Sequence, residues 1–263
     1  MHHPLSPLWK LPLRYSKSRL QHGVDSAMEQ VPQLLPVRVY FRADDIGIPG
    51  KRFSRLLDLF LDYRMPLCLA VVPAWLSRQR WEAFQKADQQ APQNWCWHQH
   101  GWRHLSHEIA GKKQEFGPVR TAGDIVQDIT RGRKKLEHLM KDRFMPVFTP
   151  PWNRCDGRTL ALLKKNGFKA VSRHHHSVPE APEGLPDFAV NVDLHTRRET
   201  QPEEGCHALM EELSAAISSG TCGIMIHHQR MNPAAFDFLE LLLCAMKQNP
   251  RILPVHFKDM LHE

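Results

Sequence analysis

Apolar and polar residues follow one another along the chain in a regular succession of short β-type and longer helical segments. VRVYFRADDI at 37–46 is rich in β-branched and aromatic residues, and KRFSRLLDLFLDY at 51–63 has apolar residues at helical spacing. The continuous apolar run PLCLAVVP (66–73) is typical of a strand buried on both faces. Further strands are predicted at 94–101, 145–152, 168–174, 187–196, 221–229 and 252–257, and further helices at 75–89, 119–142, 157–167, 203–218 and 234–247.

This succession predicts an α/β fold with a parallel sheet, because parallel neighbours require crossover connections. A distorted (β/α) barrel with seven or eight parallel strands is the favoured arrangement. An open doubly wound sheet is the alternative, although no G-x-G-x-x-G sequence follows the first strand. Residues 1–35 are predicted to be an N-terminal leader or an extension covering the barrel floor, and residues 36–263 the barrel itself.

The composition is that of a folded and mildly basic protein, with 42% hydrophobic residues and a net charge of +7 over 263 residues. The basic residues are scattered, and no zinc-finger, RNP or basic-zipper sequence accompanies them, so we expect no nucleic-acid partner. No apolar run reaches the roughly 18 residues of a membrane span. Six cysteines without a C-x-x-C pair indicate reduced thiols, and no signal-peptide-like run is present, so we expect a cytoplasmic protein.

Acidic residues and histidines collect where the predicted strands end. They are Asp44 and Asp45 after the first strand, His98, His100 and His104 after the third, Asp193 and His195 after the sixth, and His227 and His228 after the seventh. In a (β/α) barrel these strand ends meet at one face, where barrel enzymes build their active sites. The sequence therefore predicts a catalytic site at that face.

A divalent metal site is the chemistry that this pattern favours. His100 and His104 are four residues apart, a spacing that puts both imidazoles on one side of a helical turn. With one carboxylate, two histidines form a common catalytic site for zinc or a similar ion. His98 and His100 would share a strand face and are an alternative ligand pair.

The adjacent carboxylates of Asp44 and Asp45 repel each other unless a cation or a shared proton relieves the repulsion. Beside a histidine cluster they can divide the work, one binding the metal and the other accepting a proton from water. A solvated turn acid next to a helix N-cap is the alternative interpretation.

In order and spacing, five segments over residues 37–258 resemble the polysaccharide deacetylases, the NodB-homology proteins of carbohydrate esterase family 4. The segments are FRADDIG (41–47), HGWRH (100–104), FTPPWN (148–153), VNVDLH (190–195) and IMIHH (224–228). The resemblance implies a hydrolase that uses a divalent ion, with zinc as the first choice. It would remove an acetyl group from a small-molecule or glycan substrate, an N-acetylated sugar or a related amide.

The resemblance also implies a role for each matching residue. Asp45, His100 and His104 would bind the metal. Asp44 would be the catalytic base, and His227 the acid, tuned by Asp193, with His228 as the alternative acid. The substrate-binding residues would be Trp152, which forms one wall of the pocket, with Pro151, Asn153 and His228.

The chain departs from the family pattern at several positions. Thr149 stands where the third motif has an arginine, and Gly101 stands where the second motif has a small hydroxyl residue. These changes, together with the expected cytoplasmic location, favour a carrier-linked or nucleotide-linked sugar over a wall polymer as substrate. A catalytically silent barrel that binds a glycan or a partner protein is the alternative function. Trp95, Trp97 and Trp102 are predicted to pack in the core, and QEFG (114–117), with Glu115, to form a surface loop.

Overall fold

The computed structural model describes residues 5–262, in which eight α-helices alternate with eight strands. The helices are α1 (Leu13–Gln30), α2 (Lys51–Asp62), α3 (Arg78–Gln90), α4 (Ala122–Met140), α5 (Gly157–Lys165), α6 (Pro202–Ser218), α7 (Pro233–Gln248) and α8 (Phe257–Met260). The strands are β1 (Val37–Ile46), β2 (Leu67–Val71), β3 (Trp95–His100), β4 (Phe144–Thr149), β5 (Ala170–Val171), β6 (Val192–Asp193), β7 (Thr221–Ile226) and β8 (Ile252–Pro254). None of the helices in this part of the chain has the length and hydrophobicity that a membrane-spanning segment requires.

The chain forms two compact units, and the first contains the described residues up to Ala43, Gly50–Leu67 and Asn191–Val255. Its strands are parallel. β7 pairs with β1 and with β6, and β8 pairs with the beginning of β1. Helix α1 lies in the predicted leader and packs against α6 and α7 through its apolar side chains. The leader therefore contributes to the core of this unit, while the proposed domain boundary at residue 36 stays a prediction.

The second unit contains Asp44–Pro49, Cys68–Val190 and the residues from His256 onward. Parallel pairing joins β3 to β4 and β4 to β5, and it places His100 opposite Thr149. In the core, the Trp97 ring stacks on Phe84 at 5.8 Å and meets the edge of Trp81 at 5.1 Å. Trp95 and Trp102 are also buried, which confirms the packing role predicted for the three tryptophans.

Two predicted strands are much shorter in the structure than in the sequence analysis. The strand expected at 168–174 is reduced to β5, and the one expected at 187–196 is reduced to β6. Between them, isolated bridges and side-chain hydrogen bonds replace a continuous ladder. The carboxylate of Asp187 accepts hydrogen bonds from the backbone N–H and the guanidinium of Arg173, at 3.1 and 2.8 Å. Apolar patterning could not show that side chains would hold this segment.

Candidate metal centre

Three of the predicted ligands lie together in the second unit, at the ends of β1 and β3. Oδ1 of Asp45 is 3.2 Å from Nε2 of His100 and 3.1 Å from Nε2 of His104. The three donor atoms all lie within 4.8 Å of one another, and no other group of three such side chains occurs within residues 5–262. The structure thus brings together Asp45, His100 and His104, while His98 does not join the group.

The backbone at Asp45 explains how two adjacent acids serve one site. In a regular strand, neighbouring side chains point to opposite faces. Asp45 has a left-handed backbone with φ of 62°, and this interrupts the alternation near the end of β1. Asp44 is buried, and its negative charge helps to raise the pKa of His100 and opposes the larger fall that burial causes in the pKa of His104. Both carboxylates therefore act on the same pair of imidazoles.

His100 is oriented by the neighbouring strand β4. Its Nδ1 lies 2.9 Å from the backbone carbonyl of Thr149, so that Nδ1–H donates to this carbonyl and Nε2 faces Asp45. Burial alone would lower the pKa of His100, but the hydrogen bond to Asp45 and the charge of Asp44 raise it above its ordinary value. The Thr149 hydroxyl is 2.9 Å from Nε2 of His98, which explains why His98 is not a ligand.

His104 does not lie on the helical turn that its spacing suggested. β3 ends at His100, and residues 101–104 form a loop in which Gly101 and His104 have φ of 56° and 59°. The helical interpretation was therefore wrong, although the two side chains it paired do lie close together. A strand end and the loop that follows it bring the two rings to a centroid distance of 5.2 Å.

Glu115 shapes this loop and is the residue that the sequence analysis missed. It is fully buried, contrary to the predicted surface loop. Its carboxylate accepts the backbone N–H groups of Trp102 at 3.2 Å, Arg103 at 2.6 Å and His104 at 3.2 Å. Burial raises the pKa of Glu115, although these three hydrogen bonds oppose the rise. A polar loop sequence carries no signal that its carboxylate would face three consecutive amides.

The same carboxylate explains the glycine at position 101. A Cβ on Gly101 would lie 2.2 Å from Oε2 of Glu115 and 2.6 Å from Cγ of Pro151, and the positive φ also disfavours a side chain. The hydroxyl residue that the resemblance led us to expect could not occupy this position. Glu115 instead supplies the polar contact that holds the loop.

Two tryptophans flank His104. The Trp152 ring lies 4.4 Å from the His104 ring and the Trp75 ring lies 5.8 Å from it, measured between centroids. Trp152 and Asn153 follow Pro150 and Pro151 in a short 3-10 turn, and both have a left-handed backbone. Burial, with repulsion from His100 against the attraction of Asp45, lowers the pKa of His104 to about 4. The His104 imidazole is accordingly neutral at physiological pH.

The remaining predicted residues lie in the first unit. The backbone N–H of His227 donates to Nδ1 of His195 at 3.1 Å. The carboxylate of Asp193 accepts hydrogen bonds from the backbone N–H groups of His195 and Thr196, each at 2.9 Å, so it caps this turn. Burial alone would raise the pKa of Asp193, but the nearby His227 and these hydrogen bonds lower it. Asp193 thus interacts with His227 through charge, and within residues 5–262 no hydrogen bond joins their side chains.

His228 is buried, with its ring 5.4 Å from that of Phe53.

The buried His195 should make the stability of the protein depend on pH. Burial, with the charge of His227, lowers the pKa of His195 to about 3. Between pH 6.5 and 3 the unfolded chain binds a proton at this residue and the folded chain does not. His195 should therefore contribute a fall in the free energy of unfolding on acidification, which approaches about 1.4 kcal/mol per pH unit once the pH is well below 6.5. Urea unfolding at pH 6.5 and 5.0 measures this slope.

We expect His195→Gln to lose this contribution to the slope and to keep an acceptor for the His227 amide. His207→Gln is the matched control, because the His207 side chain is largely exposed in the same unit. A His195→Gln slope equal to that of the unchanged protein would contradict the assignment.

Comparison with known proteins is informative at the level of structure. No protein-family model matches the sequence, and none of the curated proteins matches it. A Mycobacterium smegmatis protein assigned as a polysaccharide deacetylase superposes with a TM-score of 0.65 at 15% identity, over 88% of this chain and 94% of that chain. The fold is that of the polysaccharide deacetylases. This confirms the predicted α/β class, a distorted (β/α) barrel with parallel strands.

Two further structures with the polysaccharide deacetylase fold bear on the site. A family 4 acetyl xylan esterase from Clostridium thermocellum, in complex with a cobalt ion, has a TM-score of 0.56 at 11% identity over 86% of this chain and 90% of that one. A CE4 family pseudoenzyme from Bacillus anthracis has a TM-score of 0.52 at 9% identity over 82% of this chain and 63% of that one. The fold thus occurs both with a bound metal and in a protein described as a pseudoenzyme.

The donor atoms fit a divalent ion. Four ligands at 2.0–2.1 Å from a tetrahedral zinc ion are about 3.3 Å from one another. The separations of 3.2 and 3.1 Å between Asp45 and the two imidazoles are close to that value. Two neutral imidazoles and one carboxylate also leave a coordination position for water, as catalytic zinc sites do. The residues present in this deacetylase fold are therefore suited to zinc or a similar ion.

Proposed function

We propose that the protein is a metal-dependent hydrolase that removes an acetyl group from an N-acetylated sugar or a related amide. The observation that carries the proposal is the grouping of Asp45, His100 and His104, with the buried carboxylate of Asp44 beside them. A structural site would need only the ligands. Hydrolysis requires in addition a base that accepts the proton of the attacking water. Asp44 is near enough for its charge to act on both histidines.

Each residue has a distinct part in this proposal. Asp45, His100 and His104 would hold the ion, most simply zinc. When bound, a divalent ion lowers the pKa of a coordinated water towards neutrality and polarises the acetamido carbonyl. Asp44 accepts the proton of the attacking water. His227 is the proposed acid that protonates the leaving amine, and the buried carboxylate of Asp193 interacts with it through charge.

Trp152 is the proposed wall for the sugar. Its ring lies against the metal ligand His104, and the two prolines before it restrict the backbone of the turn. An aromatic face beside the reacting carbonyl suits the apolar face of a pyranose ring. Asn153, Pro151 and His228 stay proposed contacts of the substrate, and the cytoplasmic location predicted from the sequence stays a prediction.

A silent barrel that binds a glycan is the second candidate. It is favoured by the replacement of the family's arginine by Thr149, whose hydroxyl interacts with His98. The pseudoenzyme from Bacillus anthracis supports it as a precedent for the fold.

An acetate-release screen over N-acetylated sugars separates the two candidates. We expect acetate release that EDTA abolishes and added zinc restores, because the bound ion would activate the attacking water. Binding of a sugar without acetate release under any metal would favour the silent barrel and contradict the hydrolase.

A further inference from the structure

A cavity of about 550 Å³ lies in the second unit, next to the metal centre. It is formed by the segment from Ala74 to Arg80, which leads into helix α3, and by the face of α4 that carries Lys135 and His138. Trp75 lines the cavity, and its ring is also 5.8 Å from the ring of the metal ligand His104. One side chain therefore borders both sites.

The cavity wall carries positive charge without a compensating acid. Arg78, Arg80 and Lys135 line it together with His138, and none of the lining residues is an aspartate or a glutamate. Among the described residues, no ion pair is formed by Arg78 or Lys135. Burial, followed by the charges of Arg131 and Arg80, lowers the pKa of Lys135. These cations repel one another, a cost that a bound anion would relieve.

Neighbouring groups hold Arg80 in place and add to the positive electrostatic potential of the cavity. Arg80 donates to the backbone carbonyl of Trp75, which joins the basic wall to the aromatic one. Arg131 lies 5.0 Å from the centre of the Trp102 ring, and Lys135 lies 5.8 Å from it. The first turn of α3 faces the same space, because Arg78 and Gln79 line it, and the amino end of a helix favours an anion.

We propose that this cavity binds a phosphate group of the substrate while the acetamido group reaches the metal centre. The inference rests on the proposed hydrolase and narrows its substrate to phosphorylated N-acetyl sugars. A phosphate suits the cavity better than a single carboxylate, because it offers up to two negative charges and three acceptor oxygens to several cations. Trp75, which borders both sites, would contact the sugar that joins the phosphate to the acetamido group.

Binding of a matched pair of ligands tests the proposal independently of turnover. N-acetylglucosamine 1-phosphate and N-acetylglucosamine are titrated by calorimetry into the full-length protein, with and without zinc. We expect the phosphorylated sugar to bind at least about 10-fold more tightly in both conditions, with a preference that shrinks as salt increases. Preference seen only with zinc would place the phosphate on the metal and overturn the proposal.

Two variants test whether the cavity residues cause the tighter binding of the phosphorylated sugar. Arg78→Gln/Lys135→Gln should remove most of it, while Lys134→Gln, the matched change at the next residue of α4, should keep it, because Lys134 lines a different cavity. Equal affinity for both sugars, or a preference that survives the double change, overturns the proposal. Acetate release without a binding preference for the phosphorylated sugar would contradict the phosphate site and support the hydrolase. A binding preference for the phosphorylated sugar without acetate release would support the phosphate site and contradict the hydrolase.

Discussion

Asp44→Asn should lower kcat/KM for acetate release by about 10²- to 10⁴-fold and leave the metal content unchanged. Asparagine has nearly the shape of aspartate but cannot accept the proton of the attacking water. The buried position of Asp44 makes replacement by bulk solvent inefficient. Because Asp45 and the two imidazoles are the proposed ligands, the variant should still hold its ion.

Asp45→Asn is the reciprocal variant, and we expect it to lose the ion together with the activity. Asp58→Asn, the same chemical change at an exposed position in helix α2, controls for the substitution itself. The measurement is acetate release with metal analysis of the same samples. Unchanged turnover in Asp44→Asn would contradict its role as the base.

Glu115→Ala should weaken metal binding by about 10- to 100-fold, the usual effect of losing a residue that orients a ligand. The change leaves three backbone N–H groups of the 101–104 loop without their acceptor. It should also lower the free energy of unfolding by about 3 kcal/mol, since each buried unsatisfied donor costs about 1–3 kcal/mol and entering water offsets part of this. Competition with a zinc-sensitive dye measures the affinity.

A second variant separates orientation from simple loss of stability. Glu115→Gln keeps the size of the side chain and one acceptor oxygen, so its affinity should lie between those of the alanine variant and the unchanged protein. Glu82→Ala, an exposed acid in α3, is the control. Wild-type zinc affinity in a folded Glu115→Ala protein would show that Glu115 does not position His104.

The helices and most strands could be predicted from patterning because they bury a regular apolar face. Helix α6, for example, was expected at 203–218 and spans Pro202–Ser218. The strands around Arg173 and Asp187 could not be predicted, because side-chain hydrogen bonds hold that segment. Hydrophobic periodicity predicts which residues are buried, but it does not predict side-chain hydrogen bonds.

The candidate metal ligands could be selected from the sequence, whereas the loop geometry that brings them together could not be predicted. Asp45, His100 and His104 were selected from strand ends and motif resemblance. The roles of Glu115 and of Thr149 depend on where carboxylate and carbonyl oxygens point after folding. Their sequence neighbourhoods are ordinary polar and β-type segments, so nothing local indicated either role.

The most direct test of the metal centre is a zinc titration of the metal-free, full-length protein, compared with His104→Ala. The arrangement of the two rings around Asp45 predicts one tightly bound ion per chain, and binding at least about 100-fold weaker in the variant. A protein that binds no divalent ion, or an alanine variant that binds zinc as the unchanged chain does, would show that these three side chains do not form a metal site.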